Sequence, residues 1–323
     1  MISLVKESIF AEIIITGVSK ELKNALVLSV LALIWGSSFI LMSFVLTDSQ
    51  GEPLYSPLAL GSLRLVLAGL VLLPVAIRHF SKLRSALFLP IAIVGIFGNG
   101  IPAFLFAISL KEIDTGLAGI LNSLVPLFTV ITGMLLFGLK LNKKALVGVF
   151  IGFVGAAGLV FVKTGGVNTS SVYLGYAGLI VIATICYSLS VNTIQNKLSQ
   201  TDAIVIASLG LFIAAIPGGV VLCFTDFTDV LLNNKEGVNG LGYCLVLSAV
   251  GTAFALVLFN KLVQDSSAVF ASLVTYLIPV VAVMWGVYFG EEYSLIQLAF
   301  GGIILLGVYL VKLSRNRSMS SSA

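Results

Sequence analysis

The chain has 323 residues, of which 59% are apolar and 10% are charged, and its mean hydropathy is +1.12. Soluble domains carry roughly 25% charged residues, so this composition excludes a water-soluble protein and requires a surface that faces lipid. The net charge of +4 comes from basic residues that lie between apolar runs, which indicates membrane topology and argues against a nucleic-acid partner.

Apolar runs follow one another along the chain, each near the roughly 20 residues that a membrane-spanning helix needs. The ten predicted spans are residues 25–47, 57–77, 87–110, 114–137, 144–163, 173–195, 203–224, 239–260, 266–290 and 294–311. The connections are short, and the longest lies around residues 226–238, so we expect no soluble domain. The predicted fold class is an all-α integral membrane protein of ten transmembrane helices.

The distribution of basic residues orients this bundle. With the N-terminus inside the cell, fourteen of the eighteen Lys and Arg residues fall in cytoplasmic segments. Cytoplasmic loops retain Lys and Arg, so both termini are predicted to be cytoplasmic, including a tail at 313–323. The segment 1–23 does not resemble a cleaved signal peptide, and it fits either an interfacial helix on the cytoplasmic face or a disordered tail.

Residues that carry catalysis or bind metals are scarce. The three cysteines lie in or at the edge of apolar stretches without metal-ligand spacing, and the single histidine, His79, lies among basic loop residues. No Asp or Glu lies near the middle of a predicted span. We therefore expect no enzyme activity, no cofactor and no metal site, and the sequence shows no proton relay.

The chain repeats itself at a period of roughly 150 residues. The spacing from Pro126 to Gly133 in one apolar run equals that from Pro279 to Gly286 in another. The predicted repeats are residues 24–163 and 164–312. Each repeat has five spans, and because five is odd the second copy enters the membrane from the opposite side. Such inverted repeats can exchange conformations, which favours transport by alternating access.

Short motifs along the chain resemble those of one transporter family. Ile34-Trp-Gly-Ser-Ser-Phe39 is similar to the opening motif of EamA-type transporters of the drug/metabolite transporter superfamily. Phe106-Ala-Ile-Ser-Leu resembles part of that family's third helix, and Phe289-Gly-Glu291 resembles a characteristic helix ending. The resemblance covers residues 24–312.

The resemblance implies a multi-pass transporter in a bacterial cytoplasmic membrane, with a small-molecule substrate such as an amino acid or an amphipathic drug. Export is expected from the resemblance alone. The first half departs from the family pattern, because Phe137-Gly-Leu-Lys140 lacks an acidic residue. A flippase for a lipid-linked metabolite is the alternative function, and a membrane-embedded enzyme is a further one. A mainly neutral interior argues against highly phosphorylated substrates.

Two prolines are candidate helix hinges. Pro126 and Pro279 each leave the carbonyl four residues earlier, at Asn122 and Thr275, without its helical partner. Both carbonyls lie on polar stripes that must face an interior rather than lipid. The stripes are Thr115, Gly119, Asn122, Pro126 and Thr129 in the first half, and Ala268, Ser272, Thr275 and Pro279 in the second. An ordinary proline kink packed on small neighbours is the alternative.

Further polar and aromatic residues lie deep in the spans of both halves, where they either line a cavity or pair and pack between helices. The candidate substrate cavity consists of Trp35, Ser38, Asn99, Asn122, Tyr187, Thr252, Thr275 and Tyr276. Arg64 is the only charge well inside a predicted span. It either snorkels to the outer headgroups or has a functional role as a buried charge.

Glycines recur in the fifth and tenth predicted spans, at Gly148 and Gly152 and at Gly301 and Gly307. Small residues at this spacing allow helices to approach closely. We interpret them as scaffold contacts, and the sequence leaves a homodimer open. The expected partners are thus the lipid bilayer and a small-molecule substrate.

Overall fold

The computed structural model describes residues 20–138, 171–266 and 274–320, together with 147–148, 150–155, 158, 162 and 271. This part of the chain is helical, with one isolated β-bridge between Thr47 and Pro53. The helices are α1 Lys20–Leu46, α2 Pro57–Arg78, α3 Phe88–Ser109, α4 Thr115–Asn122, α5 Val125–Phe137, α6 Ser171–Lys197, α7 Ala203–Leu222, α8 Phe227–Asn233, α9 Gly237–Asp265, α10 Val274–Tyr288 and α11 Leu295–Ser320.

Seven helical stretches of the described chain are long and apolar enough to cross a membrane. They are α1, α2, α3, α4 with α5, α6, α7 and α9. Two shorter apolar helices, Leu277–Tyr288 and Leu295–Gly307, belong to α10 and α11. Half of the predicted fifth span and all of the segment 1–19 lie outside the described residues. The fold is therefore all-helical and multi-pass, while the number of ten spans stays a prediction.

Glycine follows the corresponding helix in each half. Gly138 comes directly after α5 with φ +69°, and Gly290 follows α10 with φ +90°. Residues with a side chain rarely adopt this left-handed backbone, so glycine lets the chain turn at both helix ends.

The longest predicted connection contains a short helix, α8, and is tied to the loop before α2. Tyr55 Oη donates a hydrogen bond to the carbonyl oxygen of Gly237 (2.8 Å), and Ser56 Oγ donates to Asp226 Oδ1 (2.6 Å). Burial raises the pKa of Tyr55, so its hydroxyl stays protonated as a donor. Ser56 also caps α2, because its Oγ accepts from the amide of Ala59.

The two halves interlock rather than forming separate bundles. α2 packs along α7, α1 packs on α9 and α10, and α6 packs on α3, α4 and α5. The first helix of each half therefore contacts the third and fourth helical spans of the other half. Buried apolar residues from both halves, including Leu60, Leu121 and Ile180, form one continuous cluster.

Both halves contain a π-helical segment in the third span. Residues Ile96–Gly100 form one in α3, and residues Ala249–Phe254 form the other in α9. A π-helical turn widens the helix and releases backbone groups from the regular pattern, and such turns occur frequently at functional sites.

Gly307 of the tenth predicted span faces Gly148 and Gly152 of the fifth, whereas Gly301 lies beside Ile120. A Cβ added at Gly307 would overlap the backbone of Gly148 and Gly152. The predicted close approach is thus made within one chain, between the last helices of the two halves.

Candidate functional site

A cavity of about 120 Å³ lies between the two halves. This volume greatly exceeds the roughly 10–15 Å³ that one water molecule needs, so the space suits a small solute. The residues of the predicted cavity that line it are Trp35, Ser38, Asn99, Asn122, Tyr187, Thr252 and Thr275. The side chain of Tyr276 lies outside the described part of the structure. Arg64, which the sequence left between two interpretations, also lines the cavity.

The polar residues of the π-helical segments lie near the middle of their helices. Asn99 is the twelfth of the 22 residues of α3, and Thr252 is the sixteenth of the 29 residues of α9. Each bonds the carbonyl five residues earlier: Asn99 Nδ2 donates to Val94 O, and Thr252 Oγ1 donates to Leu247 O, both at 3.2 Å. Both polar side chains therefore donate to a carbonyl of their own helix beside the π-helical segment, which satisfies their donors within the membrane.

Arg64 extends toward the interior of the bundle. Its Nε donates a hydrogen bond to Thr252 Oγ1 (2.9 Å), and its Nη1 lies 3.7 Å from Met42 Sδ. Both partners line the cavity, so the guanidinium contacts the cavity wall from α2. Among the lining residues that the structure describes, none is acidic, and the cavity is electropositive as a result.

Trp35 combines packing with cavity lining. Its indole Nε1 donates to the carbonyl oxygen of Gly251 (3.0 Å), inside the π-helical segment of α9. Its ring lies against Phe259, with 5.1 Å between centroids. The donor of the indole is therefore satisfied by the protein, and the ring remains available as an apolar surface.

Further aromatic rings complete the apolar wall. Phe106 stacks on Tyr187 with 6.0 Å between centroids and meets Phe39 edge-on at 5.7 Å. All three line the cavity, and α1, α3 and α6 supply one each. The sequence identified only Tyr187 of this group, because phenylalanines at helical spacing are equally common in any membrane core.

The two candidate hinges differ in structure. Helices α4 and α5 are separated by a turn at Ser123 and Leu124, and Pro126 lies in the first turn of α5. Pro279 lies inside the continuous helix α10. A broken helix at a cavity is a frequent feature of transporters, because it exposes backbone groups to a ligand or to water. The break also places Asn122, the last residue of α4, at the cavity wall.

The polar stripe from Thr115 to Thr129 has three different environments. Its middle residue, Asn122, lines the cavity, and its two ends contact Glu291 and Asn192. At the start of α4, Glu291 accepts hydrogen bonds from Thr115 N (2.9 Å), Thr115 Oγ1 (2.6 Å) and Gly116 N (3.3 Å). Tyr293 Oη also donates to this carboxylate. Burial and the hydrogen bond to Glu291 raise the pKa of Tyr293, which keeps its hydroxyl protonated. Glu291 thus links the second half to the first turn of α4.

The sequence did not identify a buried polar network between α5 and α6. Asn192 Nδ2 donates to Thr132 Oγ1 (2.8 Å) and to Thr129 O (2.9 Å), and the hydroxyls of Thr132 and Ser188 lie 3.2 Å apart. The available signal was the spacing of four between Ser188 and Asn192, which places both on one face of α6. This network joins the halves beside the cavity.

Comparison with known proteins identifies the family. The model of the EamA-like transporter family matches residues 22–161 and 174–313. The chain is 28% identical over 291 residues to the uncharacterized inner membrane transporter YedA of Escherichia coli K12, covering 88% of this chain and 89% of YedA. It is 25% identical over 292 residues to the S-adenosylmethionine/S-adenosylhomocysteine transporter of Chlamydia muridarum, covering 87% and 88%. A crystal structure at 18% identity superposes with a TM-score of 0.58, covering 91% of this chain and 98% of that one, and shows a shared fold.

The family match occurs once in each half, so the chain has two EamA repeats. Its described helices are long and apolar enough for several membrane crossings, and they surround a cavity of suitable size for a small solute. The family and the relatives are transporters rather than enzymes. The chain therefore belongs to the EamA-like transporter family, and it is a multi-pass membrane transporter.

Proposed function

We propose that the protein carries a small amphipathic metabolite, such as an amino acid or an amphipathic drug, by alternating access through the cavity between its halves. One observation carries the proposal: both repeats line the same cavity, at the middle of long apolar helices. A solute bound there is equally far from both membrane surfaces. A modest rearrangement of the halves then decides which surface it can reach.

The local geometry supports such a rearrangement. The π-helical segments and the break between α4 and α5 interrupt regular helical hydrogen bonding at the cavity. Helices bend with least energy where hydrogen bonding is already irregular. The lining residues Trp35, Ser38, Asn99, Asn122, Tyr187, Thr252, Thr275 and Tyr276 form the proposed substrate site, and Pro126 and Pro279 are the proposed hinges.

The proposed topology has ten spans in two inverted repeats, residues 24–163 and 164–312, with both termini in the cytoplasm. The inner membrane is the proposed location, which the name of the relative YedA supports. Cysteine labelling tests this topology. Substitutions at Lys82 and Lys143 should react from the cytoplasm, and substitutions at Glu52 and at the exposed Lys235 should react from outside. External labelling at position 143 would refute the inverted arrangement.

Export is the proposed direction of transport. Flux measurements in liposomes should identify the substrate. Purified protein in liposomes should move at least one solute from a panel of amino acids, nucleosides and cationic drugs. S-adenosylmethionine belongs in the panel, because relatives are named for its transport. Liposomes without protein provide the background rate. If no solute in the panel moves faster than background, this assignment of substrates is wrong.

Accessibility of the cavity gives a second test that needs no known substrate. In a chain without native cysteines, Ser38→Cys at the cavity should react with a water-soluble maleimide from both sides of the membrane. Leu33→Cys is the matched control, because Leu33 lies on the same helix and is 58% exposed on the outer surface of the bundle. That position faces lipid and should stay unlabelled. Labelling of Ser38→Cys from one side only would contradict alternating access.

A further inference from the structure

The cavity has a positive charge without a partner of opposite charge in the described structure. Arg64 is the only ionised side chain among the described residues that line it. An arginine does not lose its proton inside a protein, so burial cannot neutralise it. A charge in the membrane interior is strongly unfavourable unless it pairs with another group, and such charges usually serve function.

The guanidinium is held in place but its hydrogen-bonding capacity is not used up. Nε donates to Thr252 Oγ1, and the only described acceptor near the terminal nitrogens is the weakly accepting sulfur of Met42. Arginine has five N–H donors in a planar fork that fits a carboxylate with two parallel hydrogen bonds. The bond to Thr252 thus positions the fork and leaves its outer edge for a ligand.

A second unmet group lies on the same cavity. Asn122 is 7% exposed, and its Oδ1 accepts no hydrogen bond from the described residues. A buried acceptor without a donor is unfavourable, so a bound ligand with an N–H or O–H group would satisfy it. The remaining walls are mostly apolar and aromatic, including Trp35, Phe106 and Phe259.

We infer that Arg64 selects solutes with a carboxylate, so that the transported molecule is a small organic monocarboxylate with an apolar or aromatic portion. The carboxylate pairs with the guanidinium, and the apolar portion packs on the aromatic wall. A hydrogen-bond donor elsewhere on the solute would satisfy Asn122 Oδ1, which belongs to the same cavity. One arginine matches one negative charge, whereas a phosphate dianion calls for several cations. This inference deepens the proposed function and rests on it.

Three probes with one carbon skeleton test the charge preference: 3-phenylpropanoate, 3-phenylpropanamide and 3-phenylpropan-1-amine. Binding to the purified protein in neutral detergent is measured by titration calorimetry. The carboxylate should bind about tenfold to a hundredfold more tightly than the amide, which is the range for a hydrogen-bonded ion pair with partial desolvation. The ammonium probe should bind most weakly, because it is repelled by Arg64.

Variants show whether Arg64 causes the preference. Arg64→Gln should weaken carboxylate binding most and thereby remove the difference between carboxylate and amide. Arg64→Lys keeps the charge but loses the planar fork, so its preference should be intermediate. Lys111→Gln removes an exposed cation at the end of α3 and should bind all three probes like the parent. Thermal melting checks that each variant is folded. If Arg64→Gln does not fold, the order in which the parent protein binds the three probes still tests the inference.

A lipid headgroup could supply the same negative charge to Arg64. Added phosphatidylglycerol should leave carboxylate binding unchanged if the site takes a soluble acid. Competitive displacement of 3-phenylpropanoate by that lipid would overturn the inference and would favour a lipid-linked substrate.

The inference fails separately from the proposed function. Equal binding of the three probes, binding of none at millimolar concentration, or an unchanged preference in Arg64→Gln would each overturn the role of Arg64. Flux of neutral or cationic solutes in that case would leave the transport proposal standing. Arg64-dependent carboxylate binding without flux would support the site and contradict transport.

Discussion

The middle of α3 and the middle of α9 share a backbone feature but differ in what surrounds it. Both are π-helical, and in both a side chain bonds the carbonyl five residues earlier, Asn99 in α3 and Thr252 in α9. Only Thr252 also accepts a hydrogen bond from an arginine, Arg64 of α2. Arg64 is the eighth residue of α2, and the eighth residue of α7 is Gly210.

The matching position has a different role in each half. Gly210 carries no side chain, and its carbonyl approaches Gly95 of α3 so closely that a Cβ at Gly95 would overlap it. One half therefore uses the position for close helix packing, and the other uses it for a charge at the cavity. The π-helical backbone is thus present in both halves, whereas the charged side chain at the cavity comes from one.

The largest expected effect concerns the close approach of α3 and α7. Gly95→Ala forces the helices apart and should destabilise the protein by about 1–3 kcal/mol or more. Gly210→Ala is the matched control, because its added methyl would lie 3.5 Å from the Gly95 backbone, an ordinary contact. Thermal melting in detergent measures both. Similar melting of the two variants would show that the contact is not as tight as described.

The next effect concerns the polar residues of the π-helical segments. Thr252→Val removes the acceptor for Arg64 and the donor for Leu247, while Asn99→Leu removes one donor only. A hydrogen bond to a charged group contributes about 1.5–3 kcal/mol, against about 1 kcal/mol for a neutral one. Solute flux should therefore fall more in Thr252→Val, by roughly tenfold or more. Equal losses would show that the bond to Arg64 does not distinguish the halves.

The hinge prolines should give smaller, directional effects. Pro126→Ala restores an amide that can donate to Asn122 and join α4 to α5, which is worth about 1 kcal/mol, or roughly fivefold in a balanced equilibrium. Pro279→Ala acts within a helix that is already continuous, so its effect should be weaker and opposite in sense. A reporter cysteine at Ser190, which lines the cavity, measures accessibility from each side. Unchanged labelling and flux in both variants would make the prolines structural kinks.

The smallest effect concerns the carboxylate at the start of α4. Glu291→Gln weakens its hydrogen bonds to Thr115 and Gly116 and should destabilise the protein by about 0.5–1 kcal/mol. Glu292→Gln removes the same charge from the exposed neighbour and should be close to neutral. The first half has Leu139 where Glu291 would align, so it lacks a carboxylate at this position. Equal melting temperatures of the two variants would remove any special role for Glu291.

Polarity and depth together predicted an interior position for three residues that line the cavity, and their role in binding a substrate stays a prediction. Asn99, Asn122 and Thr252 are too polar for lipid and too deep to reach water, so an interior position was the only favourable one. Their assembly around one space followed from the repeat. The sequence did not predict the direction in which the Arg64 side chain extends. A long side chain can reach several partners from one backbone position.

Other features depended on contacts that no local pattern encodes. The polar stripe from Thr115 to Thr129 was treated as one surface, yet fourteen residues of helix span about 21 Å. Its two ends therefore reach different partners, Glu291 and Asn192. The π-helical segments were also not predicted, because an extra residue in a helical turn leaves no signature in hydrophobic periodicity.

The interlocking of the halves also governs how the protein matures during synthesis. The hydrogen-bond acceptor of the Trp35 indole is the carbonyl of Gly251, which is synthesised 216 residues later. At about 5–20 residues per second, the ribosome needs roughly 10–40 s to deliver that partner. Until then the first-half helices lie in the bilayer with Arg64 lacking its acceptor, Thr252. A chain truncated before α9 lacks the partners of both side chains, so it should be recognised by membrane proteases and degraded faster than the full chain.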